Sequence, residues 1–365
     1  MNPIKNIEIK NFKSIRQVRI EGCRRINVFV GYPNTGKSNL LEALSLFSID
    51  RPAVDFSSFI RIGKVPTLFY DGNIKDNIEV NINEDNRIVG VLNEDKLFFH
   101  WQLAGEGASF DKMGPGVQQN IKSLLNFVKT SNDDKIHNWD SIFKRVPRSD
   151  NFIDELGPGY LSSIRKYNFQ KDIIHSSGNY DYLSVPNGTN LFDIIYTRPE
   201  LSNEVANLFG EYGLRLRHDL ADNDFSIEKG LKGNVVISFP YELVADTLQR
   251  LIFYKAAIAS NTNAILLFEE PEAHMFPPYI SKFSSDVMYD ENGNQFFINT
   301  HSPFVINDLM ENLKKEELSI YVVGYKKETG ETFVRKLTDS ELHEMYQYGI
   351  DLYLNLENFL FHEQQ

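Results

Sequence analysis

The chain has 365 residues, 42% of them apolar, with 27 Phe and 17 Tyr, enough to fill one large core or two modest ones. Its single cysteine, Cys23, excludes an intramolecular disulfide and fits a reducing cytoplasm, and no stretch reaches the ~18 uninterrupted apolar residues of a membrane span. With 50 acidic against 38 basic residues, the balance opposes non-specific nucleic-acid binding by the chain as a whole, and the N-terminal residues lack the apolar region of a signal peptide.

From the N-terminus, Ile4, Ile7 and Ile9, then Phe12, Ile15, Val18 and Ile20, alternate with polar residues and predict two antiparallel strands. Lys10, Lys13, Arg16, Arg19, Arg24 and Arg25 crowd these strands and read as the solvated edge of a sheet in preference to a basic groove. The apolar run Ile26 to Val30 predicts a buried strand. It leads into Gly31-Tyr32-Pro33-Asn34-Thr35-Gly36-Lys37-Ser38, a complete G-x-x-x-x-G-K-S phosphate loop, followed by a helix through Leu44. Such a loop turns its backbone N–H groups around a phosphate, with Gly31 and Gly36 letting the backbone approach closely. Lys37 supplies a point charge to the β/γ oxygens, Ser38 offers a hydroxyl to Mg²⁺, and the helix N-terminus points at the phosphates. ATP or GTP with Mg²⁺ is the expected ligand.

Short β-type runs at Thr67–Tyr70, Ile78–Ile82, Ile88–Leu92 and Leu97–Trp101, separated by turn residues, predict an antiparallel sheet. From residue 114 to 226 polar loops and helical segments (Val117 to Val128, Asp140 to Arg145, Pro199 to Tyr212) predict an inserted helical subdomain without heptad repeats. After Val235–Phe239 the pattern returns to helix alternating with buried strand. A hairpin (Ser319 to Gly324, Thr332 to Leu337) and a helix from Asp339 close the chain. The resulting division is 1–113, an N-terminal nucleotide-binding lobe; 114–226, the helical insertion; 227–338, a C-terminal lobe; and 339–365, a terminal helix.

Two further segments belong with the phosphate loop. Ala264–Phe268 is apolar throughout, fit for a central parallel strand, and runs into Glu269-Glu270-Pro271-Glu272-Ala273-His274. Acids at the carboxyl end of such a strand sit where nucleotide chemistry occurs in an α/β sheet, so Glu269 reads as an Mg²⁺ ligand and Glu270 as the residue that orients or deprotonates the attacking water. The strand Gln295–Asn299 ends in Thr300-His301-Ser302-Pro303, which makes His301 a candidate γ-phosphate contact.

Taken in order, N-F-K-S, G-x-x-x-x-G-K-S-N-L-L-E-A-L, L-L-F-E-E-P-E-A-H and T-H-S-P resemble the ABC-type ATPase heads of the OLD, RecF and SMC class, above all small AAA-family ATPases related to OLD proteins. The resemblance covers roughly residues 1–70 and 230–310. It implies an α/β phosphate-loop ATPase head with an N-terminal antiparallel β-subdomain and an inserted helical subdomain. Matched positions carry over as Gly31, Asn34, Thr35, Gly36, Lys37, Ser38 and Asn39 for nucleotide, Ser38 and Glu269 for Mg²⁺, and Glu270, His301 and Lys37 for catalysis. Phe12 and Lys13 match a turn that lies near base and ribose in such heads, and His274 a loop that meets a second subunit.

Two departures stand out. Glu269 replaces the usual Asp, and Leu243 to Arg250 lacks the serine and glycines of the L-S-G-G-Q signature. No glutamine-loop residue is evident after the first helix. The chain continues about 60 residues past the histidine motif, where OLD nucleases enter a Toprim nuclease domain, so an ATPase without its own nuclease is expected. The resemblance implies an ATP-dependent switch whose heads close as a homodimer or higher oligomer and which acts on a separately encoded effector, as in bacterial anti-phage or toxin–antitoxin systems. The alternatives are a non-catalytic ATP-binding scaffold and a RecF-like DNA-binding ATPase.

Overall fold

A computed structural model describes residues 3–48, 56–83, 86–93, 96–103, 163–171, 180–219, 224–231 and 235–361. The opening alternation becomes strands β1 (Ile7–Phe12) and β2 (Ile15–Ile20), paired antiparallel with Ile7 opposite Ile20 and Ile9 opposite Val18. Every apolar residue of this pair is buried, as period-2 patterning requires. The strand Ile26–Val30 is β3, and its continuous apolar run reflects burial on both faces. Strands β4 (Ile78–Ile82), β5 (Asn86–Asn93) and β6 (Lys96–Leu103) extend the first pair into a five-stranded sheet in the order β2-β1-β4-β5-β6. The remaining expected strand, Thr67–Tyr70, is not one. Pro66 opens a 3₁₀ turn over Val65–Leu68, and Asp71-Gly72 closes another.

β3 sits inside a second, six-stranded sheet ordered β14-β13-β3-β12-β11-β7. Its members are β7 (Ile164–Tyr167), β11 (Ile265–Glu269), β12 (Gln295–Asn299), β13 (Leu318–Tyr325) and β14 (Thr332–Lys336). All pairs are parallel except β13 with β14. The side chains of β3 alternate between two cores. Phe29 joins helix α1 (Lys37–Ser45) and the five-stranded sheet, whereas Val28 and Val30 face the opposite layer. That layer holds α2 (Leu191–Thr197), α3 (Pro199–Gly210), α4 (Asp246–Ser260), α5 (Pro277–Met288) and α6 (Pro303–Asn312). Helices α7 (Asp339–Tyr348) and α8 (Leu356–Phe361) follow β14, α7 opening with a Thr338–Glu341 capping box.

The stretch 114–226, expected to be a helical insertion, is helical only in part where it is described: the expected helix at Pro199 to Tyr212 forms as α3, with α2 before it. It contributes β7 to the edge of the six-stranded sheet. It also contributes β8 (Leu214–Asp219) and β9 (Asp224–Gly230), which with β10 (Val236–Pro240) form a separate three-stranded antiparallel sheet. β7 is only four residues, two of them cationic, too short and too polar to give a period-2 signal. The predicted helices at 117–128 and 140–145 lie outside the described residues. Among the described residues, no helix is long and apolar enough to cross a membrane.

Candidate functional site

Register in the parallel sheet brings the three sequence motifs together. Glu269 at the end of β11 pairs with Asn299 at the end of β12, and Asn299 pairs with Phe29 on β3. The phosphate loop, the acidic turn and the histidine loop therefore leave one edge of the sheet at the same level, the place where α/β sheets bind ligands.

The shape of the phosphate loop demands its glycines. A Cβ on Gly31 would lie 2.2 Å from the Val323 carbonyl oxygen, and one on Gly36 would lie 2.3 Å from Thr332 Oγ1. Gly36 also has φ 100°, open to residues without a side chain. Asn34 takes φ 63°, a region Asn tolerates. Lys37 Nζ donates to the Gly31 and Tyr32 carbonyls, both at 2.8 Å, and Thr35 Oγ1 donates to Tyr32 at 2.9 Å. Burial lowers the Lys37 ammonium to about 8, against the pull of Glu270. Asn39 donates to Ser14 Oγ at 2.7 Å. Ser14 is 2.8 Å from Thr332 Oγ1, which donates to the Thr35 carbonyl at 3.0 Å, so the loop is braced from outside by hydroxyls of the β1–β2 turn and of β14.

The Ser38 hydroxyl lies close enough to the Glu269 carboxylate to favour its charged form, so the two expected Mg²⁺ ligands are neighbours. Two oxygen donors, one of them anionic, suit a hard divalent cation. A loop that only glycine can line, with its helix N-terminus beyond, likewise suits a phosphate chain. Glu269 has cationic neighbours too: Lys166 Nζ on β7 is 3.3 Å from Oε2, and an Arg61 nitrogen is 3.8 Å from Oε1. Burial alone would raise the Glu269 carboxyl. Lys166, Ser38 and Arg61 outweigh it and hold the group below the usual carboxylate range.

Glu270 adopts φ 45°, unusual for a residue with a side chain, and its amide donates to the Asn299 carbonyl at 3.0 Å. Its carboxylate is 3.4 Å from His301 Nε2. Burial and then the nearby Lys37 charge lower the His301 pKa despite Glu270, leaving the imidazole neutral at pH 7. Lys13 does not stand free. Its ammonium bonds the Glu42 carboxylate on α1 and the Arg61 carbonyl, and Phe12 is fully buried in the core.

The basic cluster around the first strands is paired throughout. Lys10 meets Glu8 and Glu79, Arg16 Glu331, Arg19 Glu21, Arg24 Asp339 and Arg25 Glu317. In the segment replacing the signature, Arg250 stacks on Phe169 at 4.6 Å and pairs with Asp246 at 3.7 Å, while Thr247 Oγ1 donates to the His274 carbonyl at 2.9 Å. Sequence reasoning missed Lys166, Arg61, Glu272, Thr300 and Thr332. Glu272 lay inside the acidic motif and Thr300 inside the histidine motif, so these two were within reach. The others gain their roles through partners far away in the chain.

Sheet order, phosphate loop, acidic turn and histidine loop define an ABC-type ATPase fold of the RecF and SMC class. The chain belongs to the family described as "AAA domain, putative AbiEii toxin, Type IV TA system", which matches residues 26–307. An ATP/GTP phosphatase of Helicobacter pylori is 27% identical over 160 residues, 40% of this chain and 41% of that protein. RecF, a DNA replication and repair protein of a Thermoanaerobacter species, is 28% identical over 109 residues, 28% of this chain and 30% of its own length. The chain thus spans less than half of either relative. A crystal structure of an SMC head bound to the C-terminal winged-helix domain of ScpA shares the fold, with TM-score 0.53 at 16% identity over 94% of this chain and all of that one.

Proposed function

We propose that the protein is an ATP-driven molecular switch that hydrolyses Mg-ATP slowly and passes the change of state to a separately encoded effector. In this reading the phosphate loop and Lys37 hold the β/γ phosphates, and Ser38 and Glu269 hold Mg²⁺, which when bound supplies charge neutralisation. Glu270 orients or deprotonates the attacking water, and neutral His301 donates toward the γ-phosphate. The observation that supports the reading is the level register of Phe29, Asn299 and Glu269, together with the 3.4 Å approach of Glu270 to His301. The test is steady-state phosphate release by wild type and Glu270→Gln. Turnover lost in the variant with ATP binding kept supports the switch.

Closure as a homodimer, or a higher oligomer, is part of the proposal. Leu243, 73% exposed, and Phe276, 64% exposed, flank the Thr247–His274 link in the segments where such heads meet. A role in anti-phage defence, an OLD-type relationship and a cytoplasmic location complete it. The role is tested by whether Lys37→Ala abolishes phage protection in cells carrying the gene and its neighbours. A second reading, a non-hydrolysing ATP-binding scaffold, is favoured by the engagement of Arg250 with Phe169 and Asp246, which occupies the main cation of the altered signature. ATP binding with no turnover in either wild type or Glu270→Gln selects it.

A further inference from the structure

Lys166 is the most buried cation in the neighbourhood of the site, with a side chain 2% exposed. It projects from β7, which lies beside β11 in parallel register, Lys166 level with Leu267. Among the described residues its ammonium meets the Phe59 carbonyl at 2.9 Å and Glu269 Oε2 at 3.3 Å. Arg61, in the same segment as Phe59, brings a second cation to the other carboxylate oxygen at 3.8 Å and is itself fixed by Glu42 through Nε at 2.7 Å. The carboxylate assigned above to the metal is therefore already charge-compensated by the protein.

This arrangement has a definite electrostatic effect. A divalent cation approaching Glu269 meets a fixed ammonium 3.3 Å from the same carboxylate, in surroundings where charges interact more strongly than in water. The single carboxylate is then too weak an attraction by itself. The phosphates of a nucleotide bring the missing negative charge, so metal and nucleotide are taken up together. We propose that Lys166, seconded by Arg61, is a positioning residue that makes the site select the metal–nucleotide complex over the free divalent cation. The proposal rests on the assignment of Glu269 as the metal acid.

The experiment uses Mn²⁺ alone as the probe, on the full chain without nucleotide, with binding followed by calorimetry or by loss of the free-ion electron paramagnetic resonance signal. Lys166→Met is nearly isosteric and apolar, and the Phe59 carbonyl keeps a donor in Ser45 Oγ at 3.3 Å, so the buried position tolerates it. Lys166→Met is expected to bind Mn²⁺ at least tenfold more tightly than wild type, with Lys166→Arg within threefold of wild type. Arg61→Gln, at an exposed position, should shift binding the same way by a smaller factor. Equal Mn²⁺ affinity in wild type and both charge-removing variants overturns the proposal. A gain in Lys166→Met that survives addition of Glu269→Gln overturns instead the assignment of Glu269. A gain that vanishes in the double variant supports both.

Discussion

Glu272 fastens the acidic turn to the histidine loop: its Oε1 accepts from the Thr300 hydroxyl at 2.6 Å and from the His301 amide at 2.9 Å. The carboxyl is buried, and Oε2 has no hydrogen-bond partner among the described residues. Tyr353 in turn donates to the Thr300 carbonyl at 3.0 Å, so the loop that presents His301 is held from both sides. Both donors on Glu272 need only an acceptor. Glu272→Gln should therefore retain the loop, whereas Glu272→Leu should strand the buried Thr300 hydroxyl, at a cost of about 1–3 kcal/mol of stability, and leave the part-buried His301 amide without its acceptor. Turnover should fall in Leu far more than in Gln. Equal losses of denaturation midpoint and rate in the two variants would show that the acceptor is irrelevant.

The same carboxyl gives a pH signature. Burial raises its pKa, opposed by Thr300 and the His301 amide. A raised folded value means its contribution to stability is complete below the unfolded pKa and is lost as pH rises through the folded one. Glu272→Gln, neutral at every pH, should gain stability relative to wild type as pH increases from the unfolded carboxyl value toward neutrality. A difference that stays constant with pH, read by denaturant melts, would contradict the raised value.

For Lys37, burial sets the free ammonium at about 8, so nucleotide binding must draw a proton onto it above that pH. Affinity for a fluorescent ATP analogue should fall up to about tenfold per pH unit above about pH 8, and Lys37→Arg should flatten the profile. Lys37→Ala should weaken binding by about 10- to 100-fold at neutral pH. A profile for wild type that is flat to high pH would remove the ammonium from the phosphates.

In the proposed scheme Glu270 and His301 serve the chemistry and not nucleotide binding. Glu270→Gln should lower kcat by about 10²- to 10⁴-fold, with nucleotide affinity within a few-fold of wild type. Because His301 titrates below its ordinary value, the acid limb of turnover should fall below pH 6.5, and His301→Gln should abolish that limb. Single-turnover measurements across pH decide it, and an unchanged limb in the variant assigns the titration elsewhere.

Association has its own test. Leu243→Asp and Phe276→Asp alter exposed side chains and should leave the melting temperature within a few degrees of wild type. Sedimentation with Glu270→Gln and ATP should show an oligomer that either substitution dissolves. Persistence of the oligomer in both would move the interface to another face.

Much of the site was legible because its signals are linear. Gly31 to Ser38 is a loop whose glycines and lysine are dictated within eight residues, and Glu269 and His301 follow strands whose apolar runs announce burial on both faces. The layers followed from the same alternation at Ile7 to Ile20. What escaped reading depends on distant partners. Lys166 pairs with Glu269, some hundred residues away, and the six cations of the first strands are paired with acids as remote as Glu317, Glu331 and Asp339. Thr67 to Tyr70 was misread because β-prone residues were weighed above the Pro66 that redirects the backbone.

The contact between Ser14 and Thr332 bridges 318 positions of sequence, yet it braces the loop between them that binds nucleotide. As the chain leaves the ribosome, the glycine loop emerges well before its outer wall. Nascent protein therefore carries a nucleotide loop without its outer support until β14 has been made. Termination before β14 should yield a polypeptide that binds nucleotide less tightly than the chain that carries β14.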